Sequence, residues 1–409
     1  MKRVVVTGLG CITPVGSDVQ AYWDSLMACR HGFGPITRFD TSTMKARVTA
    51  EVKDFVPEAH MPKADIRKTD RHQQFAIEAA AQAAADAGLE GNIDPARLGV
   101  YIGSGIGGLD SITTQIGVMQ EKGPDRVSPF LITMMIPNMA SALVAIKHNA
   151  RGVNLPIVSA CATATHSIGE AFRAVKHGYA DAILAGAAES CINPLGVGGF
   201  TSAQALSTSD DPDNASMPFD KRRNGFIMGE GAGVLVLESY EHAKARGAKI
   251  YCEISGYGNT CDAHHITAPH PEAEGTAAMI QQAFAEAGVG FDEKLYINAH
   301  GTSTPLNDAT ETKAIKKALG EALAYKITVS STKSMIGHLL GAAGGAEAIA
   351  CVKAIETGMV PPTAGYMEPD PACDLDYVPN KARKVDIDKA FSTSLGFGGH
   401  NAGVLFTRV

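Results

Sequence analysis

The feature that most constrains this chain is that it repeats itself. Residues 76 to 89, AIEAAAQAAADAGL, and residues 276 to 289, TAAMIQQAFAEAGV, are alanine-rich helical patterns that close on Ala-Gly, a C-cap signature. Each leads through an Asp-containing linker to an apolar strand and a glycine turn, LGVYIGSG at 98 to 105 and LYINAHGT at 295 to 302. Further on, PIVSACATATHSIGEAFRAVKHG and ITVSSTKSMIGHLLGAAGGAEAIACVKAIETG each run from a β-branched strand through small residues into a helix ending at glycine. Finally, Ala232-Gly233-Val234-Leu235 recurs as Ala402-Gly403-Val404-Leu405. The features keep their order, so the chain reads as a duplication, with 1–250 as one half, carrying extra insertions, and 251–409 as the other. Strands alternating with helices imply βαβ crossovers and sheets covered on both faces. The expectation is two similar α/β halves packed around a shared helical layer.

A chain of 409 residues exceeds the usual size of one core, and 45% hydrophobic against 19% charged residues argues for a compact enzyme-like chain over a disordered one. The net charge of -7 argues against nucleic acid as a partner. No stretch reaches the roughly 18 apolar residues of a membrane span. After Met1-Lys2-Arg3 only three apolar residues precede Thr7, too few for a secretory signal. The eight cysteines form no CxxC pair and there is no HExxH, so reduced thiols in a cytoplasmic compartment are expected, with no metal and no disulfide framework. A basic cluster, Lys63, Arg67, Lys68 and Arg71, is either a solvated helix face or a patch for an acidic partner.

Chemistry in α/β units gathers beyond the carboxyl ends of strands, where Cys161, His300 and Lys333 all fall. Val158-Ser159-Ala160-Cys161 ends an expected strand and Ala162-Thr163-Ala164-Thr165 starts a helix, so the macrodipole and free N–H groups favour a Cys161 thiolate. The other cysteines read as inert and buried. His300 follows a strand in Asn298-Ala299-His300-Gly301-Thr302-Ser303-Thr304, and His338 occupies the next strand-turn-helix. One cysteine and two histidines make a set for thioester chemistry. Lys333, if it points inward, needs a partner, and Glu347 is the candidate. Phe397, flanked by Gly396 and Gly398, is either a swinging gate or a core plug. Gly8-Leu9-Gly10 lacks the third glycine of a dinucleotide fingerprint, and Gly103 to Gly108 lacks a phosphate loop's Gly-Lys-Ser/Thr ending.

These residues resemble the 3-oxoacyl-[acyl-carrier-protein] synthases, the elongating type II enzymes of fatty acid synthesis. The resemblance spans nearly the whole chain, from VVVTGLGCITPVG through GSGIGGL, SACATATHSIG, PLGVGGF, MPFDKRRNGFIMGEGAG, NAHGTSTPLND and STKSMIGHLLGAAGGAEAI to GFGGHNAG. It implies a thiolase-like duplicated αβαβα sandwich in five layers, a homodimer, and no cofactor beyond the phosphopantetheine arm of acyl carrier protein. It implies that Cys161 takes the acyl group as a thioester and that malonyl carrier protein then loses carbon dioxide and attacks it. His300 and His338 would stabilise the enolate. The N–H groups of Cys161 and Phe397 would form the oxyanion hole, and Lys333 with Glu347 would orient the site. It further implies Phe397 as gate, Ile106 and Phe200 as pocket walls, and Thr267, Thr302 and Thr304 as contacts to the arm. Lys63, Arg67 and Lys68 would meet the carrier protein.

The sequence departs from the family pattern in its last loop. Thr393 replaces an asparagine that in some relatives helps hold a structural monovalent cation with Asn298 and Glu347, which leaves that cation open. Leu395 removes one of two loop phenylalanines, His400 replaces a threonine, and Gln204 stands where relatives often carry arginine. A ketosynthase of an iterative polyketide or polyene pathway shares every catalytic residue and is the alternative. A dead chain-length partner would lack Cys161, and a degradative thiolase would carry a second cysteine in the Gly396 to Gly403 loop.

Overall fold

In the computed structural model, which describes residues 1–409, nine strands form one mixed sheet. They are β1 (Val4–Ile12), β2 (Leu98–Gly103), β3 (Ala182–Glu189), β4 (Gly231–Ser239), β5 (Cys252–Cys261), β6 (Leu295–Asn298), β7 (Thr328–Ser330), β8 (Lys389–Gly396) and β9 (His400–Thr407), in the order β2-β3-β4-β1-β5-β9-β8-β6-β7. Read outward from the centre the two sides match. β1 pairs antiparallel with β4, β4 antiparallel with β3, and β3 parallel with β2; β5, β9, β8 and β6 repeat that sequence of directions. The sides meet where Val4, Val5 and Val6 pair with Ile254, Glu253 and Cys252.

Helices α1 (Arg71–Asp86) and α2 (Met139–Lys147) cover the outer face of the first side. Helices α4 (Glu274–Ala287) and α5 (Pro305–Leu319) cover that of the second. Between the sides lie α3 (Thr163–Lys176) and α6 (Ala343–Thr357), completing five layers, α-β-α-β-α. A central layer must be apolar or small nearly all round, and α6 is buried along twelve of its fifteen residues. Gly233 on β4 and Gly345 on α6 let backbone meet backbone, since a Cβ on Gly345 would lie 2.4 Å from the Gly233 carbonyl oxygen. All of β1 is buried, as expected for a strand covered on both faces.

The repeated helices begin earlier than the alanine pattern suggests. Asp70 caps α1 in a reciprocal capping box with Gln73, which extends the helix back to Arg71. The strand expected over 156 to 159 does not form. Only Asn154 bridges Val100 there, and the chain runs extended toward Cys161, whereas its counterpart β7 pairs fully with β6. No helix is long and apolar enough to cross a membrane.

Candidate active site

The site is built at matching points of the two halves. Ala160–Ala162 makes a tight 3-10 turn ahead of α3, and Leu340–Ala342 makes the same turn ahead of α6. Each holds a non-glycine residue in the left-handed region, Ala160 at φ 50° and Leu340 at φ 50°. That conformation costs about 1–2 kcal/mol and aims the next residue away from the helix it precedes. The next residue is Cys161 in one half and Gly341 in the other.

Cys161 lines a cavity of about 370 Å³, with His300, His338, Thr302, Thr304, Thr267, Phe200 and Phe397 also bordering it. The His300 and His338 rings stand edge-to-face with centroids 5.2 Å apart, and both side chains are buried. Lys333 lies behind them, fully buried, ion-paired with Glu347 Oε1 and donating to His300 Nδ1 across 3.3 Å. That bond leaves Nε2 to carry the proton of a neutral ring. Burial, reinforced by the Lys333 charge, holds both imidazoles well below their ordinary pKa, so both are neutral. Burial pushes the Glu347 carboxyl up, and Lys333 pulls it back.

The thiol departs from the sequence expectation. Burial pushes Cys161 up to about 12, with Lys333 acting against the shift and Glu189 and Glu347 adding to it. Desolvation therefore outweighs the helix N-terminus, and the resting group is a thiol. The backbone N–H groups of Cys161 and Phe397 have no backbone acceptor. Gly396 brings them together, because a Cβ there would sit 2.9 Å from the Ser159 carbonyl oxygen and 3.4 Å from the Cys161 nitrogen. Phe397 is 37% exposed, with its ring 6.3 Å from that of Phe200, at the cavity edge and not in the core.

A residue that sequence reasoning missed is Glu311 on α5. Fully buried, it accepts from the N–H groups of His300 (2.7 Å) and Gly301 (2.8 Å) and from the Thr393 hydroxyl (2.6 Å), so it anchors the His300 turn. In TETKAIKK it reads as one acid on a solvated helix face. Glu189 does similar work, accepting from Gly105, Ile106 and Gly341 N–H and from the Ser104 hydroxyl.

Thr393 is thus committed to Glu311, while both polar atoms of the Asn298 side chain and Glu347 Oε2 are buried without partners. The Thr393 hydroxyl is taken up by Glu311 and the His300 N–H, so of the three only Asn298 and Glu347 keep unpartnered oxygens that such a cation would use. Ile106, expected as a pocket wall, does not border the cavity and is 36% exposed. Lys63, Arg67 and Lys68 also lie apart from it, and Ile66 between them packs on the outer core of the first half.

A duplicated five-layer sandwich that turns a cysteine toward two neutral histidines is the architecture of the thiolase-like condensing enzymes. Residues 1–243 match the family description "Beta-ketoacyl synthase, N-terminal domain" and residues 251–367 "Beta-ketoacyl synthase, C-terminal domain", and the chain belongs to that family. It is 53% identical over 409 residues to a 3-oxoacyl-[acyl-carrier-protein] synthase 2 of Synechocystis sp., covering 100% of this chain and 98% of that protein. Against the Coxiella burnetii protein of the same name it is 49% identical over 410 residues, covering 100% and 99%. Among solved structures, a beta-ketoacyl synthase from Burkholderia phymatum superposes with TM-score 0.92 at 36% identity, covering 100% of both chains. A type II polyketide ketosynthase in complex with its acyl-carrier protein gives TM-score 0.92 at 35% identity, with the same coverage.

Proposed function

We propose that this chain catalyses decarboxylative Claisen condensation in fatty acid elongation. An acyl group passes from the sulfur of a carrier-bound phosphopantetheine to Cys161, and the thiol proton leaves with the departing arm. A malonyl thioester then enters. Its carboxylate leaves as carbon dioxide, and the bonding pair forms an enolate whose carbon attacks the Cys161 thioester. The C–S bond breaks, Cys161 regains a proton, and 3-oxoacyl carrier protein departs.

The observation that carries this reading is the pair of buried, neutral histidines facing Cys161 in one cavity. Decarboxylation places negative charge on the malonyl thioester oxygen, and a neutral ring with its proton on Nε2 donates there without first losing a charge. The Cys161 and Phe397 N–H groups serve the tetrahedral intermediates. Thr302 and Thr304, with hydroxyls 2.9 Å apart on the cavity wall, and exposed Thr267 suit the amides of the arm. Phe397 gates the way past Phe200 to the acyl pocket.

Carrier docking is assigned to Lys63, Arg67 and Lys68, an accessible basic segment suited to an acidic partner. Lys68 lies 5.7 Å from the Phe130 ring, and Phe130 and Ile132 are both exposed. An apolar face of that kind suits the homodimer, in which the basic segment of one copy serves the mouth of the other. Eight free cysteines suit a reducing cytoplasm. Identity near 50% over the whole chain to relatives named 3-oxoacyl-[acyl-carrier-protein] synthase 2 favours fatty acid over polyketide substrates. Incubation with saturated acyl and malonyl carrier proteins is expected to give 3-oxoacyl carrier protein and carbon dioxide. Failure to elongate any saturated chain would overturn the reading.

A further inference from the structure

His166, the fourth residue of α3, is bonded at both ring nitrogens. Nδ1 lies 2.6 Å from Ser159 Oγ, and Nε2 lies 3.1 Å from Asn259 Oδ1 on β5. With a carbonyl oxygen facing Nε2, that nitrogen carries the proton, so Nδ1 accepts the Ser159 hydroxyl. The ring is 5% exposed and does not border the cavity. Edge-on to it, 6.0 Å away, stands His400, in the same glycine-rich loop as Phe397.

Ser159 precedes the strained Ala160 and the nucleophile, and its carbonyl oxygen is the atom against which Gly396 packs. His166 therefore sits where three pieces meet: the Cys161 turn, the Phe397 loop and β5. We propose that His166 is a positioning residue, which through Ser159 sets the spacing between the Cys161 and Phe397 N–H groups.

The second half of the chain supplies the internal control. Its matching turn places Leu339 where Ser159 stands and Ala346 where His166 stands, with Leu340 at the same φ of 50°. A left-handed turn of this shape thus forms without a Ser159–His166 pair behind it, its Gly341 N–H being held by Glu189 instead. What the first turn has and the second lacks is a reacting atom, and the Ser159–His166–Asn259 chain is built only there. This inference rests on the proposed condensation. It separates two steps of it, because the oxyanion site serves acyl transfer whereas His300 and His338 serve decarboxylation.

The test measures, on the full-length protein, Cys161 acylation from acyl carrier protein by intact mass and carbon dioxide release from malonyl carrier protein. His166→Leu is expected to slow acylation about 10- to 100-fold, the range for a displaced reacting group. KM for the carrier and carbon dioxide release should stay within about twofold, the spread of a group not touched by the change. His166→Asn, whose amide oxygen reaches the Nδ1 position, should restore most of the rate. Ser159→Ala should reproduce the loss, and the double variant should be no worse than either single one. Wild-type acylation in His166→Leu, or equal loss of acylation and carbon dioxide release, would overturn the inference. If His166→Leu does not fold, Ser159→Ala decides alone by the same two readouts. A wild-type protein that takes no acyl group at all would sink the proposed function instead.

Discussion

Lys333 Nζ lies 3.3 Å from His300 Nδ1 and is ion-paired with Glu347, so one buried cation selects the tautomer of His300 and reinforces the burial that keeps both histidines neutral. Removing one partner of such a pair strands the other charge in a dry site, at a cost of about 3–5 kcal/mol. Lys333→Met is therefore expected to lose that much unfolding free energy in a urea titration, along with carbon dioxide release. Lys333→Met combined with Glu347→Leu should regain most of the stability and none of the rate, because the neighbour of His300 Nδ1 stays missing. Recovery of both would mean that Lys333 serves packing alone.

The histidines also fix a pH dependence. A histidine whose folded pKa lies below its unfolded value of about 6.5 binds fewer protons when folded, so stability falls as pH drops below 6.5. His300 and His338 are held well below, and His166 at about 4. Each is expected to add a slope of up to about 1.4 kcal/mol per pH unit between pH 6 and 5. Above about pH 7.5 their contribution is fully present. His300→Asn should flatten the slope, measured as denaturant midpoints across pH. Carbon dioxide release should stay level through pH 6.5, where an ordinary imidazole would be half protonated.

Cys161 supplies a third test. With its thiol pushed up to about 12, alkylation by iodoacetamide should rise about tenfold per pH unit from 7 to 9 with no plateau, followed on the Cys161 peptide. Exposed Cys261 is expected to react first and must be read separately. A plateau below pH 8 would show the helix N-terminus outweighing burial. Cys161→Ala, which removes only one sulfur atom, should keep the fold and abolish the acyl adduct.

What could be read from the sequence was whatever has a period or a repeat. The alanine-rich helices, the β2 and β6 strands and the Ala-Gly-Val-Leu strands recur because each half must cover its own sheet, and the duplicated order exposed the layered fold. Cys161, His300, His338 and Lys333 stood out because strand ends and small-residue turns mark where side chains can converge. Glu311 did not, since its burial comes from α5 packing over the His300 turn, a contact between segments that carries no local pattern. The thiol's direction of shift was missed for a related reason: a helix start is visible in sequence, whereas the dry wall around it is assembled from both halves. The missing strand at 156 to 159 shows the same limit, because β-branched residues announce an extended chain but not a pairing partner.

The closeness of Gly396 to the nucleophile turn yields the last prediction. Gly396 does not have a positive φ, so alanine there meets no backbone strain, and the only obstacle is its new Cβ, 2.9 Å from the Ser159 carbonyl oxygen. That neighbour is backbone on a turn already held by His166, so β8 must give way and carry the Phe397 N–H with it. A shift of this kind at an oxyanion site costs about 10²-fold in rate when a donor is fully lost and less when it is displaced. Gly396→Ala is accordingly expected to slow Cys161 acylation about 10- to 100-fold while costing about 1–3 kcal/mol in stability, the usual toll of overpacking. Gly399→Ala is the comparison. Its φ of 79° and a Cβ 3.0 Å from that of Asp262 strain the gate loop itself, so it should impair passage of long acyl chains more than short ones. The pair of variants, assayed with short and long acyl carrier proteins, separates the two. A uniform loss in Gly396→Ala and a length-dependent loss in Gly399→Ala assign the first glycine to the oxyanion site and the second to the gate, and the reverse pattern would exchange them.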